Sequence, residues 1–204
     1  MNIYAMTNEY LKNTKRPKCK PDNSESLSSL VNIPLTQSEC IKLGTHIEKI
    51  FAILLSKYEH VENIRQKNKK GVKERDHLFV VNGVKVYAEL KSNLNLDTEK
   101  RNKTIKKVIH IAREEKCEGY LLALRYYSCI PEHVRARYEG VRIVSVSEYF
   151  RLFGVPCPFF DFELGYKIWV NQLARGLIYN VNENIRQKQN EIVELTRLKK
   201  SLQF

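Results

Sequence analysis

Asp76, Glu89 and Lys91 are the residues of this chain whose types and spacing can do chemistry. Hydrolysis of a phosphodiester needs a cation to neutralise the phosphate oxygens, an activated water, and a positive group near the attacking or leaving oxygen. Hard Mg²⁺ asks for carboxylate and carbonyl oxygens. Asp76 and Glu89 would supply two carboxylates to one metal ion, and the backbone carbonyl of Leu90 a further oxygen. Lys91, two residues past Glu89, would hold or deprotonate the attacking water. The E-x-K spelling alone carries little, because Glu114-x-Lys116 repeats it near the end of a predicted helix with no aspartate strand upstream. There it reads as a solvated charge pair.

The elements around these residues decide whether they can meet. HLFVV, then Asn82-Gly83, then VKVYAELK reads as two strands joined by a tight hairpin, since Asn-Gly readily takes the positive φ angles of a type I′ turn. Counting back from the turn, Asp76 starts the first strand and Glu89 nears the end of the second, so both carboxylates lie toward one end. Period-two geometry puts Glu89 and Lys91 on one face with Lys85 and Tyr87, and sends Val84, Val86, Ala88 and Leu90 to the core. Upstream, apolar residues at 43, 47, 50, 51, 54, 55 and 58 predict a helix over about 37–59 with Glu48 beside the stripe. Downstream, Ile105, Val108, Ile109 and Ala112 predict a helix over about 97–117, with Asp97 as N-cap and cations on its outer face. GYLLALRYY follows as a strand buried on both sides, and strand, helix, strand implies parallel pairing with the hairpin. VRIVSVSEYFRLFG predicts a further strand and a helix capped by Ser147 and ended by Gly154, after which PCPFFDF breaks the pattern.

The chain has 204 residues, within reach of one hydrophobic core. The expected organisation is one domain: an N-terminal arm over 1–40, a core over 41–160, and a C-terminal helical extension over 161–204. In that extension Ile178, Val181, Ile185, Ile192, Leu195 and Leu202 fall on one heptad seam, interrupted by Lys188 and Lys199, which could pair with a second subunit or pack on its own domain. Five widely spaced cysteines without a C-x-x-C spacing suggest neither a disulfide framework nor structural zinc, and read as reduced thiols in the cytoplasm. No membrane span or signal peptide is predicted. His46, His77 and His110 lack metal-ligand spacing, and His77 should point away from the Asp76 face as a packed or surface histidine.

Lys and Arg number 35 against 23 Asp and Glu, a net charge of +12 that makes nucleic acid the first partner to consider. Phosphate contacts are expected from the basic segment with Lys69, Lys70, Lys73 and Arg75, and from Arg101, Lys103, Lys106 and Lys107 on the cationic helix. Asn93, Asn95, Tyr127, Arg135 and Arg137 are candidates for reaching DNA from loops.

The order of these elements (helix with Glu48, strand with Asp76, hairpin strand with Glu89-Leu90-Lys91, helix, strand) resembles the PD-(D/E)xK nuclease superfamily. Within it, DHLFVVNGVKVYAELKSNLNLDTEK most resembles type II restriction endonucleases, and the likeness covers roughly residues 43–126. Arg75 stands where the motif's name has proline. The resemblance implies an α/β restriction-endonuclease-like core, a central mixed β-sheet flanked by helices. It implies Asp76 and Glu89 as metal ligands, Lys91 as the catalytic lysine, and Glu48 contributing to the metal site directly or through water. It also implies Mg²⁺ with Mn²⁺ as a substitute, double-stranded DNA as substrate, and products with 5′-phosphate and 3′-hydroxyl ends. A homodimer would match a palindromic site. A resolvase-like nuclease on the same core and a non-catalytic DNA-binding module are the alternatives.

Overall fold

Asn82 and Gly83 both take positive φ, +49° and +81°, and this turn folds β2 (His77–Val81) back onto β3 (Val84–Lys91). The register runs from Val81 opposite Val84 to His77 opposite Ala88, so the next position sets Asp76 across from Glu89. The computed structural model describes residues 2–14, 27–31, 33–64, 75–92 and 94–178. Around the hairpin stands a five-stranded sheet in the order β1-β2-β3-β4-β5. The edge strand β1 (Val61–Asn63) pairs antiparallel with β2, whereas β4 (Glu118–Ala123) and β5 (Arg142–Val144) extend the sheet in parallel beyond β3. The chain is therefore α/β with a mixed sheet flanked by helices.

Between β3 and β4 runs α3 (Thr98–Glu115), whose N-cap Asp97 accepts from the Lys100 amide, as the sequence predicts. Its buried Val108 and Ile111 pack on Leu78 and Tyr87 and so cover the Asp76–Glu89 face of the hairpin. This changes the expected environment of that face: β3 is buried on both sides from Val86 to Leu90, and Glu89 is 1% exposed. The short helix α4 (Glu132–Ala136) joins the same side of the sheet, where Val134 and Tyr138 pack on Leu121, Ala123 and Ile143.

The opposite face, with Phe79, Val86, Ala88, Leu90, Tyr120 and Leu122, carries the main core. Four helices pack there: α1 (Ile3–Lys12), α2 (Gln37–Leu55), α5 (Val146–Leu152) and α6, over residues 162–178. One of these corrects the sequence reading. The segment 1–40 is not simply an arm, because α1 buries Ile3, Met6 and Leu11 in the core. The described part of the C-terminal helix packs on its own domain, one of the two outcomes left open for the extension: Trp169 stacks on Phe51 at 5.7 Å between ring centroids and donates to the Thr7 hydroxyl at 2.8 Å. The heptad seam beyond Ile178 lies outside the described residues. A second correction concerns α5, whose N-cap is Ser145 and not Ser147. Ser145 and Glu148 form a capping box, so the helix starts two residues earlier than predicted. No helix among the described residues is long and apolar enough to cross a membrane.

Gly119 in β4 marks a close approach of α3 to the sheet. A Cβ there would stand 2.8 Å from the Ala112 Cβ and 3.3 Å from the Val108 carbonyl. Because backbone cannot give way as a side chain can, Gly119→Ala is expected to destabilise the fold by about 1–3 kcal/mol. The measurement is the urea midpoint, which should fall at constant slope.

Candidate active site

The hairpin register brings the carboxylates of Asp76 and Glu89 to one place, and their immediate partners come from the same two strands and from α3. Asp76 Oδ2 accepts the Leu90 amide at 2.9 Å. Glu89 Oε1 accepts from Lys91 Nζ at 2.8 Å, and Glu89 Oε2 accepts from the Tyr87 hydroxyl at 2.7 Å. Lys107, on α3, places Nζ 2.5 Å from Glu89 Oε2 and 3.7 Å from Asp76 Oδ1. Tyr87, Glu89 and Lys91 share a face because they alternate along one strand.

These contacts set the proton affinities. Burial raises the Asp76 carboxyl and the Glu89 charge raises it further, to about 6, against the pull of Lys107 and the Leu90 amide. Burial works the same way on Glu89, but Lys91 and Lys107 outweigh it, so Glu89 is held below its usual value. Burial disfavours the Lys91 ammonium, yet the Glu89 carboxylate more than compensates, and Lys91 is raised. Lys91 is thus favoured as an ammonium in this arrangement, donating to Glu89. Tyr87, buried beside Glu89, is pushed far above its ordinary value and stays a donor too.

Glu48 approaches from α2, on the other side of the sheet. A Cβ added at Gly44, one turn earlier, would stand 4.0 Å from the Ser92 Cβ just past β3, so α2 crosses the end of that strand. The Glu48 charge is felt at Lys91, where it favours the ammonium. What fixes this helix against the hairpin is His77. Its Nε2 stands 2.9 Å from the Glu48 carbonyl, which can only accept, so Nε2 carries the proton. Nδ1 of the neutral ring then accepts from the Tyr149 hydroxyl on α5. Burial pushes the Tyr149 hydroxyl well above its usual value, consistent with a donor. His77 does point away from Asp76, as alternation predicts, and it ties β2, α2 and α5 together.

A hard divalent cation suits the oxygens gathered here. Asp76 and Glu89 face one another as carboxylates whose repulsion is visible in the raised Asp76. The Lys91 carbonyl accepts from Leu124 in β4's continuation, so the carbonyl one residue earlier, on Leu90, faces the β2 side with its own amide, which Asp76 accepts. No group of three or more His, Cys, Asp or Glu side chains suited to a metal ion occurs among the described residues. Mg²⁺ does not require one, since it is commonly held by one or two carboxylates and keeps several waters. Asp76, Glu89 and the Leu90 carbonyl fit that pattern.

The proposed DNA contacts divide into several groups. Lys69, Lys70, Lys73 and Asn93 lie outside the described residues. Lys103 and Lys106 are exposed on the outer face of α3, Lys103 paired with Glu99, and the half-buried Arg101 reaches the Thr98 hydroxyl. Lys107 departs from the expected outer face, as described above. Arg75 is 10% exposed and pairs with Glu115 at 2.8 Å and Glu114 at 3.5 Å, so its charge anchors the hairpin to α3 and is not presented to solvent. Tyr127 is buried in the main core with its hydroxyl against the Cys157 thiol. Arg135 binds the Ile143 carbonyl and Glu148, holding α4 to β5 and α5. Arg137 donates to Asn95 and to the Leu96 carbonyl, securing the lead-in to α3. The charge of Arg75 and the ring of Tyr127 are thus taken up inside the fold, where the sequence reading expected a DNA-facing surface, whereas Arg135 pairs with Glu148 and stays 36% exposed.

Lys107 is the residue whose place at the site sequence reasoning missed. Its signal was present: Thr104, Val108 and Ile111 mark the buried face of α3, and 107 falls between them at helical spacing. Comparison with protein-family profiles, curated proteins and solved structures finds no match to this chain.

Because the folded chain binds the Asp76 proton more tightly than the unfolded chain, ionising it costs stability as pH rises from about 4 through about 6. Asp76→Asn mimics the protonated group. With divalent ions chelated, it should stabilise the fold at pH 8 by on the order of 1–3 kcal/mol, and the gain should vanish near pH 4. Thermal melts of both proteins at the two pH values measure it, and an equal gain at both would contradict the repulsion described.

Proposed function

We propose that this protein is a Mg²⁺-dependent DNA endonuclease with a restriction-endonuclease-like core, acting at a specific double-stranded sequence. The observation that carries the reading is the juxtaposition of Asp76 and Glu89 across an antiparallel hairpin, with Lys91 on the Glu89 face. The net charge of +12 and the exposed lysines of α3 favour a polyanionic substrate. Asp76, Glu89 and the Leu90 carbonyl would hold the metal, which supplies charge neutralisation at the phosphate and a more acidic water. Tyr87 keeps Glu89 oriented by donating to one carboxylate oxygen. Lys91, held as an ammonium, would keep its proton and hydrogen-bond through Nζ to the attacking oxygen or to a phosphate oxygen, stabilising the negative charge that develops there. Glu48, fixed to the hairpin through His77, would contribute its carboxylate at the edge of the site. Cleavage would leave 5′-phosphate and 3′-hydroxyl ends, and a homodimer would cut both strands of a palindromic site.

A second reading, a DNA-binding module without catalysis, draws on the pairing of these carboxylates with Lys91 and Lys107. Incubation of the full chain and Mg²⁺ with plasmid and with branched DNA separates the possibilities. Discrete bands from plasmid that ligate again support the restriction enzyme. Preferential cutting at branches makes it a resolvase-like nuclease on the same site, and binding without cutting supports the module. Lys91→Ala and Glu89→Ala should each lower cleavage by about a thousandfold or more, and intact cleavage in either would refute the site.

A further inference from the structure

The two carboxylate oxygens that face each other, Glu89 Oε2 and Asp76 Oδ1, already have a cation between them: Lys107 Nζ, at 2.5 and 3.7 Å. We infer that Lys107 is an exchangeable internal counter-ion, occupying the space between these carboxylates in the metal-free protein and leaving it when a divalent cation enters. This rests on the reading of the site as a metal-dependent nuclease centre and adds how that centre is held before it is loaded.

Three observations support the exchange. First, Lys107 meets one oxygen of each carboxylate, while the other two are held within the hairpin: Glu89 Oε1 accepts from Lys91 and Asp76 Oδ2 from the Leu90 amide. Glu89 Oε2 also accepts from the Tyr87 hydroxyl, which keeps it in place when the ammonium leaves. Second, two carboxylates and two lysines sum to no net charge, so a divalent ion added to the intact cluster would meet two fixed ammonium groups at close range. One must withdraw. Third, Lys107 is the one whose withdrawal clears the space between the carboxylates, because it alone of the two lysines bridges both of them. It reaches them from the helix that forms the wall of the site, on a flexible four-carbon stem that is 26% exposed. Lys91 sits on the strand itself, paired with Glu89 alone of the two carboxylates. Once withdrawn, the Lys107 ammonium needs an anion, and a DNA phosphate at the metal provides one. Metal and DNA would then bind cooperatively, each favouring the other by the same factor.

The test needs no cleavage. Mn²⁺ is titrated into the full chain at pH 8 without DNA, and the free ion is followed by its paramagnetic resonance signal, for the wild type, Lys107→Met and Lys107→Arg. Removing the competing charge should tighten Mn²⁺ binding by about tenfold or more in Lys107→Met, while Lys107→Arg, which keeps the charge, stays close to the wild type. A structural role alone would leave affinity unchanged or weaken it. Equal or weaker binding by Lys107→Met overturns the counter-ion role and leaves the metal site standing. No Mn²⁺ binding by any of the three overturns the metal reading and the counter-ion role with it. The wild type gives an independent check that does not depend on a variant folding. Reductive methylation of Lys107, read by peptide mass, should speed up when Mn²⁺ is added, while that of Lys85, paired with Glu115 at the other end of α3, stays constant. Unchanged Lys107 labelling would also overturn the proposal.

Discussion

Two carboxylates held side by side with little access to water repel one another, and much of this structure is arranged around that repulsion. The Asn82–Gly83 turn fixes the register that opposes Asp76 and Glu89, so neither can retreat without breaking the hairpin. The polar groups that contact the pair among the described residues are hydrogen-bond donors: the Tyr87 hydroxyl, the Leu90 amide and the ammonium groups of Lys91 and Lys107. The compensation is uneven. Glu89 receives most of it and is held ionised, whereas Asp76 carries the residual cost. A pair left under-compensated in this way is suited to receiving positive charge.

The helix α3 has a double part in this. Its apolar face covers the strand face that bears Tyr87 and Glu89 and thereby removes water. The same face delivers Lys107 into the space it has closed. The helix is fixed at its far end by Glu115, which pairs with Arg75 and Lys85 from the two hairpin strands. Arg75 is nearly covered in doing so, and its Nε is the buried side-chain polar atom without a partner among the described residues. The arginine immediately before Asp76 thus secures the position of the acid that follows it.

The hairpin was the most legible part of the sequence, because turn chemistry and two-residue alternation act over neighbouring positions and both point to one register. The strands, the α3 cap at Asp97 and the parallel β3–β4 pairing were readable on the same local grounds. What could not be read were contacts between segments distant in the chain. Nothing near Ile3 or Trp169 announces that α1 and α6 meet in the same core through Thr7. Arg75 and Arg135 look in sequence like any surface arginine, and only the positions of Glu115 and Glu148 show that each is paired within the chain. Lys107 was assigned to the solvent side because it is a lysine in a basic stretch. The helical phase of its buried neighbours outranked its chemistry.

His77 joins a helix on each side of it through opposite edges of one planar ring, a carbonyl on one edge and a hydroxyl on the other. Few side chains offer a donor and an acceptor at that separation within so small a volume. In a survey of random variants, position 77 would therefore rank with the carboxylates in its intolerance of replacement, even though it faces away from them. Its neighbour Tyr149, some seventy positions later in the chain, would share that intolerance, and the two would be expected to change together in lineages where either has changed.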